Sequence, residues 1–92
     1  MADFVEDKVK IVVINSQCKL YKAGDQIMID GPLIDFNNSS NVCVTALNAM
    51  YPFIFALRKK VKPEALGFNE EVTVQCPDYC APVVFKLIPF AE

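Results

Sequence analysis

Residues 8–16 read KVKIVVINS, with Val9, Ile11 and Val13 on one face of an extended chain and Val12 and Ile14 on the other. Alternation of β-branched residues predicts a strand, because a side-chain period of two matches the pleat and branching at Cβ favours it. A polar stretch holding Cys18 follows, and Ala23-Gly24-Asp25 supplies a turn. Ile27 and Ile29 then share a face over 26–30, which predicts a short second strand. Gly31-Pro32 ends it, and DFNNSSN at 35–41 reads as a loop whose side chains bond to nearby backbone.

The period then changes. Within VCVTALNAMYPFIFALRKK, residues Cys43, Ala46, Leu47, Met50, Ile54 and Leu57 fall on one helical stripe. Ser40 or Asn41 is placed to accept from the free amides of the first turn, which puts Cys43 inside that turn. Pro52 removes one helical donor and crowds the Asn48 carbonyl, so the helix bends there or restarts, a kink being the simpler expectation. Val44, Tyr51 and Phe55 occupy the opposite face, and a helix apolar all round needs neighbours on more than one side.

Residues 61–69 form a connector punctuated by Pro63 and Gly67. Over 71–75 the alternation returns, with Val72 and Val74 inward, Thr73 and Gln75 outward, and Cys76 inward by the same parity. Residues 82–88 (PVVFKLI) predict a last strand, hairpin partner of the third and bracketed by Pro82 and Pro89. The order β-β-α-β-β predicts a small α+β domain over 1–92, with its ordered core at about 8–88. Its economical form is a mainly antiparallel four-stranded sheet with one helix packed on one face.

Composition sharpens this picture. At 53% hydrophobic and 22% charged, the chain is no disordered polymer and is unusually apolar for 92 residues. A domain of this size buries about 65% of its unfolded surface, so some of that apolar surface is expected to meet a partner. The net charge of -2, with basic residues concentrated only at Arg58, Lys59, Lys60 and Lys62, argues against nucleic acid. That short run is placed to complement the dipole at the helix C-terminus. The acidic start MADFVEDKVK lacks the features of a secretory signal, so a cytoplasmic protein with reduced thiols is expected. The apolar run over 42–57 is interrupted by Thr45, Asn48 and Pro52 and is too short to span a bilayer of about 20 helical residues.

The motifs together resemble a family. Cys18, the Gly24-Asp25 turn, Cys43, Ala46-Leu47, Tyr51-Pro52, Ala56-Leu57, Cys76-Pro77-Asp78 and Val83-Val84-Phe85 occur in order. This pattern resembles a family of small uncharacterised proteins of anaerobic bacteria and archaea, over roughly residues 8–88. The resemblance implies a small α+β fold and an anaerobic source, and no particular activity, cofactor or partner. The chain departs from the family where Val44, rather than proline, follows Cys43, where a Gly-His pair is missing, and where Cys80 is added. No histidine exists, so a site that requires one is absent.

The four cysteines are the candidate chemistry. Cys43 near a helix N-terminus is where free amides and the dipole favour a thiolate. Cys76 faces inward, Cys80 lies across the CPDYC turn, and Cys18 follows the first strand. Convergence of Cys18, Cys43, Cys76 and Cys80 would suit zinc or an iron–sulfur cluster. One C-x-x-x-C and two isolated cysteines do not match paired C-x-x-C ligand units, however. Burial as small hydrophobes is the leading reading, with thiol redox chemistry a third. Asp25, Asp30, Asp35 and Asp78 sit in turn contexts that Asx hydrogen bonds explain. No phosphate loop or nucleophile elbow is present, so an enzyme is not expected. The leading expectation is an accessory protein that forms a homo-oligomer or docks on a larger protein through Val44, Tyr51 and Phe55.

Overall fold

The computed structural model describes residues 5–91, which excludes the first four residues of the acidic N-terminal stretch and Glu92. Five strands and one α-helix form an α+β fold: β1 (Lys8–Ser16), β2 (Gln26–Asp30), β3 (Leu33–Ile34), α1 (Val44–Arg58), β4 (Val72–Gln75) and β5 (Val83–Phe90). Short 3-10 turns at Phe36–Asn38 and Pro63–Leu66 flank the helix. The sheet order is β3-β2-β1-β5-β4, and every neighbouring pair is antiparallel. Long β1 occupies the centre because both of its edges find partners, β2 on one side and β5 on the other.

The side-chain parity expected from the alternation is present. Val9, Ile11 and Val13 of β1, Ile27 and Ile29 of β2, Val72 of β4, and Val83, Phe85 and Leu87 of β5 are all buried on the helix side. Ala46, Met50, Ile54 and Leu57 of α1 close over them, which places one core between two layers. Each large aliphatic buried there contributes about 1.5–3 kcal/mol relative to exposure. The helix runs unbroken through Pro52, so the proline does not divide it.

Two expectations are corrected. The sheet has five strands rather than four, because Gly31-Pro32 reverses the chain instead of ending the structure there. Gly31 adopts φ +60, the left-handed conformation that a two-residue hairpin loop takes at its first central position. Leu33 and Ile34 thereby pair back onto Asp30 and Ile29. The last strand also runs through Pro89 to Phe90 rather than stopping before the proline. Pairing of β4 stops at Val72 opposite Leu87, so Pro89 lies where β5 has only β1 beside it and a missing amide is tolerated.

The polar loop after β3 continues along the edge of β2. The Asp35 amide donates to the Met28 carbonyl at 2.9 Å, the Met28 amide to Ser39 Oγ at 2.9 Å, and the Ser40 amide to the Gln26 carbonyl at 2.7 Å. Backbone amides of the loop together with the Ser39 hydroxyl thus do for β2 what a neighbouring strand would do at Gln26 and Met28. Among the described residues no helix is long and apolar enough to cross a membrane.

Candidate functional site

The two ends of α1 are anchored by different chemistry. At its N-terminus Cys43 is the N-cap rather than a residue of the first turn, because the helix starts two residues later than an Asn41 cap and three later than a Ser40 cap would place it, and its side chain makes no capping bond. Neither Ser40 nor Asn41 caps the helix as expected. The Ser40 hydroxyl accepts the Gln26 amide, and the Asn41 side-chain amide donates to the Leu20 carbonyl. Instead the Cys43 amide donates to the Tyr21 phenol oxygen at 2.9 Å. Tyr21, buried and packed edge-on against Phe85 at 5.4 Å, carries the helix start onto the core.

Around Tyr21 three of the four cysteines gather. Burial pushes the Tyr21 phenol above its ordinary value of 10.0; the Cys43 amide works against that, and the nearby sulfurs of Cys43, Cys18 and Cys76 add to it. Ser16 braces the loop, accepting the Cys18 amide at 3.1 Å and lying 2.9 Å from the Tyr21 carbonyl. Cys76 is buried, with its amide on the Val83 carbonyl, while Cys18 and Cys43 are partly buried against the core. Cys80 is exposed in the hairpin loop, where Asp78 Oδ1 accepts the Cys80 and Ala81 amides at 3.0 and 3.3 Å. The CPDYC stretch is therefore an Asx-stabilised turn that carries an exposed Tyr79.

Convergence at one end of the fold does not become a coordination shell. Among the described residues no group of three or more His, Cys, Asp or Glu side chains could hold a metal ion. The ligand set Cys18, Cys43, Cys76 and Cys80, for zinc or an iron–sulfur cluster, is thus not assembled. The physical reason is burial: Cys76 faces the core, whereas Cys80 points out of the turn.

The apolar helix face is where the sequence placed it. Val44 is 77% exposed, Tyr51 51% and Phe55 46%. The Tyr51 and Phe55 rings lie 6.3 Å apart, and the Arg58 guanidinium and Lys59 ammonium approach the Phe55 ring at 5.4 and 5.5 Å. Beside this face a cleft of about 100 Å³ separates α1 from the β2–β3 hairpin. Ile29, Leu33, Ile34, Leu47 and Ile54 give it apolar walls, and the Gly31-Pro32 turn, Tyr51 and Arg58 also line it.

Arg58 lies in the last turn of α1, at the helix end where the sequence placed the basic run, but its burial was not expected. The sequence assigns it only a part in complementing the helix dipole, yet it is 6% exposed. Its Nε donates to Glu6 at 2.8 Å, Lys59 reaches the other Glu6 oxygen at 2.7 Å, and Lys60 pairs with Asp7 at 2.6 Å. The Asp7 amide also caps the Arg58 carbonyl at 3.0 Å. Arg58 and Lys59 together hold the Glu6 carboxyl below its ordinary value of 4.5. Opposite charge blocks at 6–7 and 58–60 were the available signal, but nothing local in a sequence reports a pairing across some fifty residues.

No protein-family model matches the chain, and neither a curated protein nor a solved structure does.

Proposed function

We propose that this chain is a non-enzymatic cytoplasmic interaction protein that self-associates or docks as an accessory subunit through the outer face of α1. The observation that carries this reading is the joint exposure of Val44, Tyr51 and Phe55, with Leu33 a further 69% exposed across the cleft. Clustered large apolar side chains held in water mark interaction sites, because burying them against a partner recovers about 25 cal/mol for each Å² removed from solvent. The rim is polar and cationic, which gives the patch the layout of an interface with an apolar centre.

Light scattering on size-exclusion fractions tests it, with the wild type and a V44E/F55E double variant compared across concentration. The expected result is a dimer or larger species for the wild type and a monomer of unchanged thermal midpoint for the variant. A wild type that stays monomeric and retains no protein in pull-down from its host extract overturns the reading.

A further inference from the structure

We infer that the outer edge of β4 is a docking strand for an extended, basic segment of a partner protein, which adds to the sheet through main-chain hydrogen bonds. This surface is separate from the outer face of α1. The argument starts from hydrogen-bond parity. Residues along antiparallel neighbours alternate between those that exchange bonds with the partner strand and those that face away from it. The Cys76 amide donates to the Val83 carbonyl at 2.8 Å, so in the register that pairs Val72 with Leu87 and Val74 with Phe85 these two residues also bond to β5. Thr73 and Gln75 then turn their N–H and C=O groups outward. β4 is the last strand of the sheet, and among the described residues no loop, turn or side chain bonds to those four groups.

The opposite edge is closed group by group. On β2 the Gln26 amide donates to Ser40 Oγ at 3.3 Å and its carbonyl accepts the Ser40 amide at 2.7 Å. The Met28 amide donates to Ser39 Oγ and its carbonyl accepts the Asp35 amide, both at 2.9 Å. β4 carries no proline, lysine or bulge of the kind that blunts an edge. A row of outward donors and acceptors at strand spacing is matched by another extended backbone, and alternate side chains of that strand would continue the half-buried Val74 row and the exposed Thr73 and Gln75 row.

Room and charge select the occupant. A groove of about 540 Å³ opens at the start of β4, lined by Phe68, Glu71 and Thr73 among others. Glu70 and Glu71 lead into the strand and Asp78 follows it, all exposed, and of the three only Glu71 has a cation among the described residues, Lys86 at 2.6 Å. A second copy paired about a two-fold axis would bring the Glu70–Glu71 end of each strand against the Asp78 end of the other, and like charges across a ladder are destabilising. A segment with Lys or Arg at its ends meets the same carboxylates with opposite charge. The edge therefore fits a basic strand of another protein better than its own copy.

The test titrates the full ¹⁵N-labelled chain with acetyl-Lys-Val-Thr-Val-Thr-Val-Lys-amide, with its Glu-for-Lys analogue, and with the basic peptide N-methylated on both threonines. The expected result with the basic peptide is saturable shifts of the Thr73 and Gln75 amides, whose hydrogen exchange slows about tenfold at ten times the Kd, while the Val74 amide, already on β5, changes little. The Glu analogue should bind at least about tenfold more weakly, and the N-methylated peptide should not bind. T73P removes an outward N–H without touching the β5 ladder, so it should keep the thermal midpoint and lose the peptide. Should T73P fail to fold, the N-methylated peptide makes the same comparison on the wild type. Equal binding of the three peptides, shifts confined to α1, or no binding overturns the inference. So does exchange at Thr73 and Gln75 that is already slow and concentration-dependent in the free chain, which marks a second copy on the edge. V44E/F55E should bind the basic peptide as the wild type does, so failure here is distinct from failure of the α1 reading.

Discussion

The Tyr21 phenol oxygen accepts the amide of Cys43 at 2.9 Å, so the first turn of the only α-helix among the described residues hangs on a side chain twenty-two positions earlier. A helix N-terminus leaves amides without intrahelical partners, and here a tyrosine from the β1–β2 loop supplies an acceptor that no local cap provides. Tyr21→Phe keeps the packing on Phe85 but strands that amide. The expected loss is about 1–3 kcal/mol, read from the midpoint of urea unfolding at unchanged slope. A variant as stable as the wild type would mean that the bond does not hold the helix start.

The same phenol contributes to the alkaline limb of the stability profile. Its folded-state value lies above the ordinary 10.0, chiefly through burial. Between the unfolded and folded values the native state binds the extra proton, so stability is full below about pH 10 and falls as pH rises through the folded value. Thermal midpoints taken from neutral pH into that range should decline more steeply for the wild type than for Tyr21→Phe. Parallel profiles would remove Tyr21 from the alkaline transition.

Glu6 acts in the opposite direction. Arg58 and Lys59 hold its carboxyl down, so its contribution is present above the ordinary 4.5 and is lost as pH falls through the depressed folded value. Glu6→Gln should flatten the acid limb of the stability profile and leave the alkaline limb untouched. A carboxyl ¹³C titration of Glu6 that follows the unperturbed value would contradict the pairing.

Much of the sheet was legible because its signals are local. The bounds 8–16 and 26–30, and the inward parity of Val72 and Cys76, follow from alternation that any register of the sheet must respect. Leu33 and Ile34 were missed because a strand of two residues has no periodicity and Gly31-Pro32 reads equally as a stop and as a reversal. The helix stripe was legible as well, and Val44, Tyr51 and Phe55 are exposed where the 3.6-residue period puts them. Cys43 as N-cap, Arg58 as a buried base and the cleft beside Tyr51 depend on contacts between segments far apart in the chain. Those follow only once β1 has chosen β2 and β5 as neighbours.

Cys76 and Cys80 are separated by one turn and by the whole difference between core and solvent. Cys76 is 7% exposed at the end of the inward row of β4, whereas Cys80 is exposed beside Tyr79. Serine at position 76 places a hydroxyl among apolar neighbours and should cost about 1–3 kcal/mol, the penalty for a buried polar group short of partners. Serine at position 80 removes nothing that packs, and the Asp78 carboxylate still accepts the amide there, so the change should stay within about 0.5 kcal/mol. Alkylation gives a second readout: a neutral iodoacetamide reagent should label Cys80 at once and Cys76 only as fast as the native state opens. A Cys76→Ser protein as stable as the wild type, or equal labelling of both thiols, would show that the inward row ends at Val74 and that the hairpin loop begins one residue earlier.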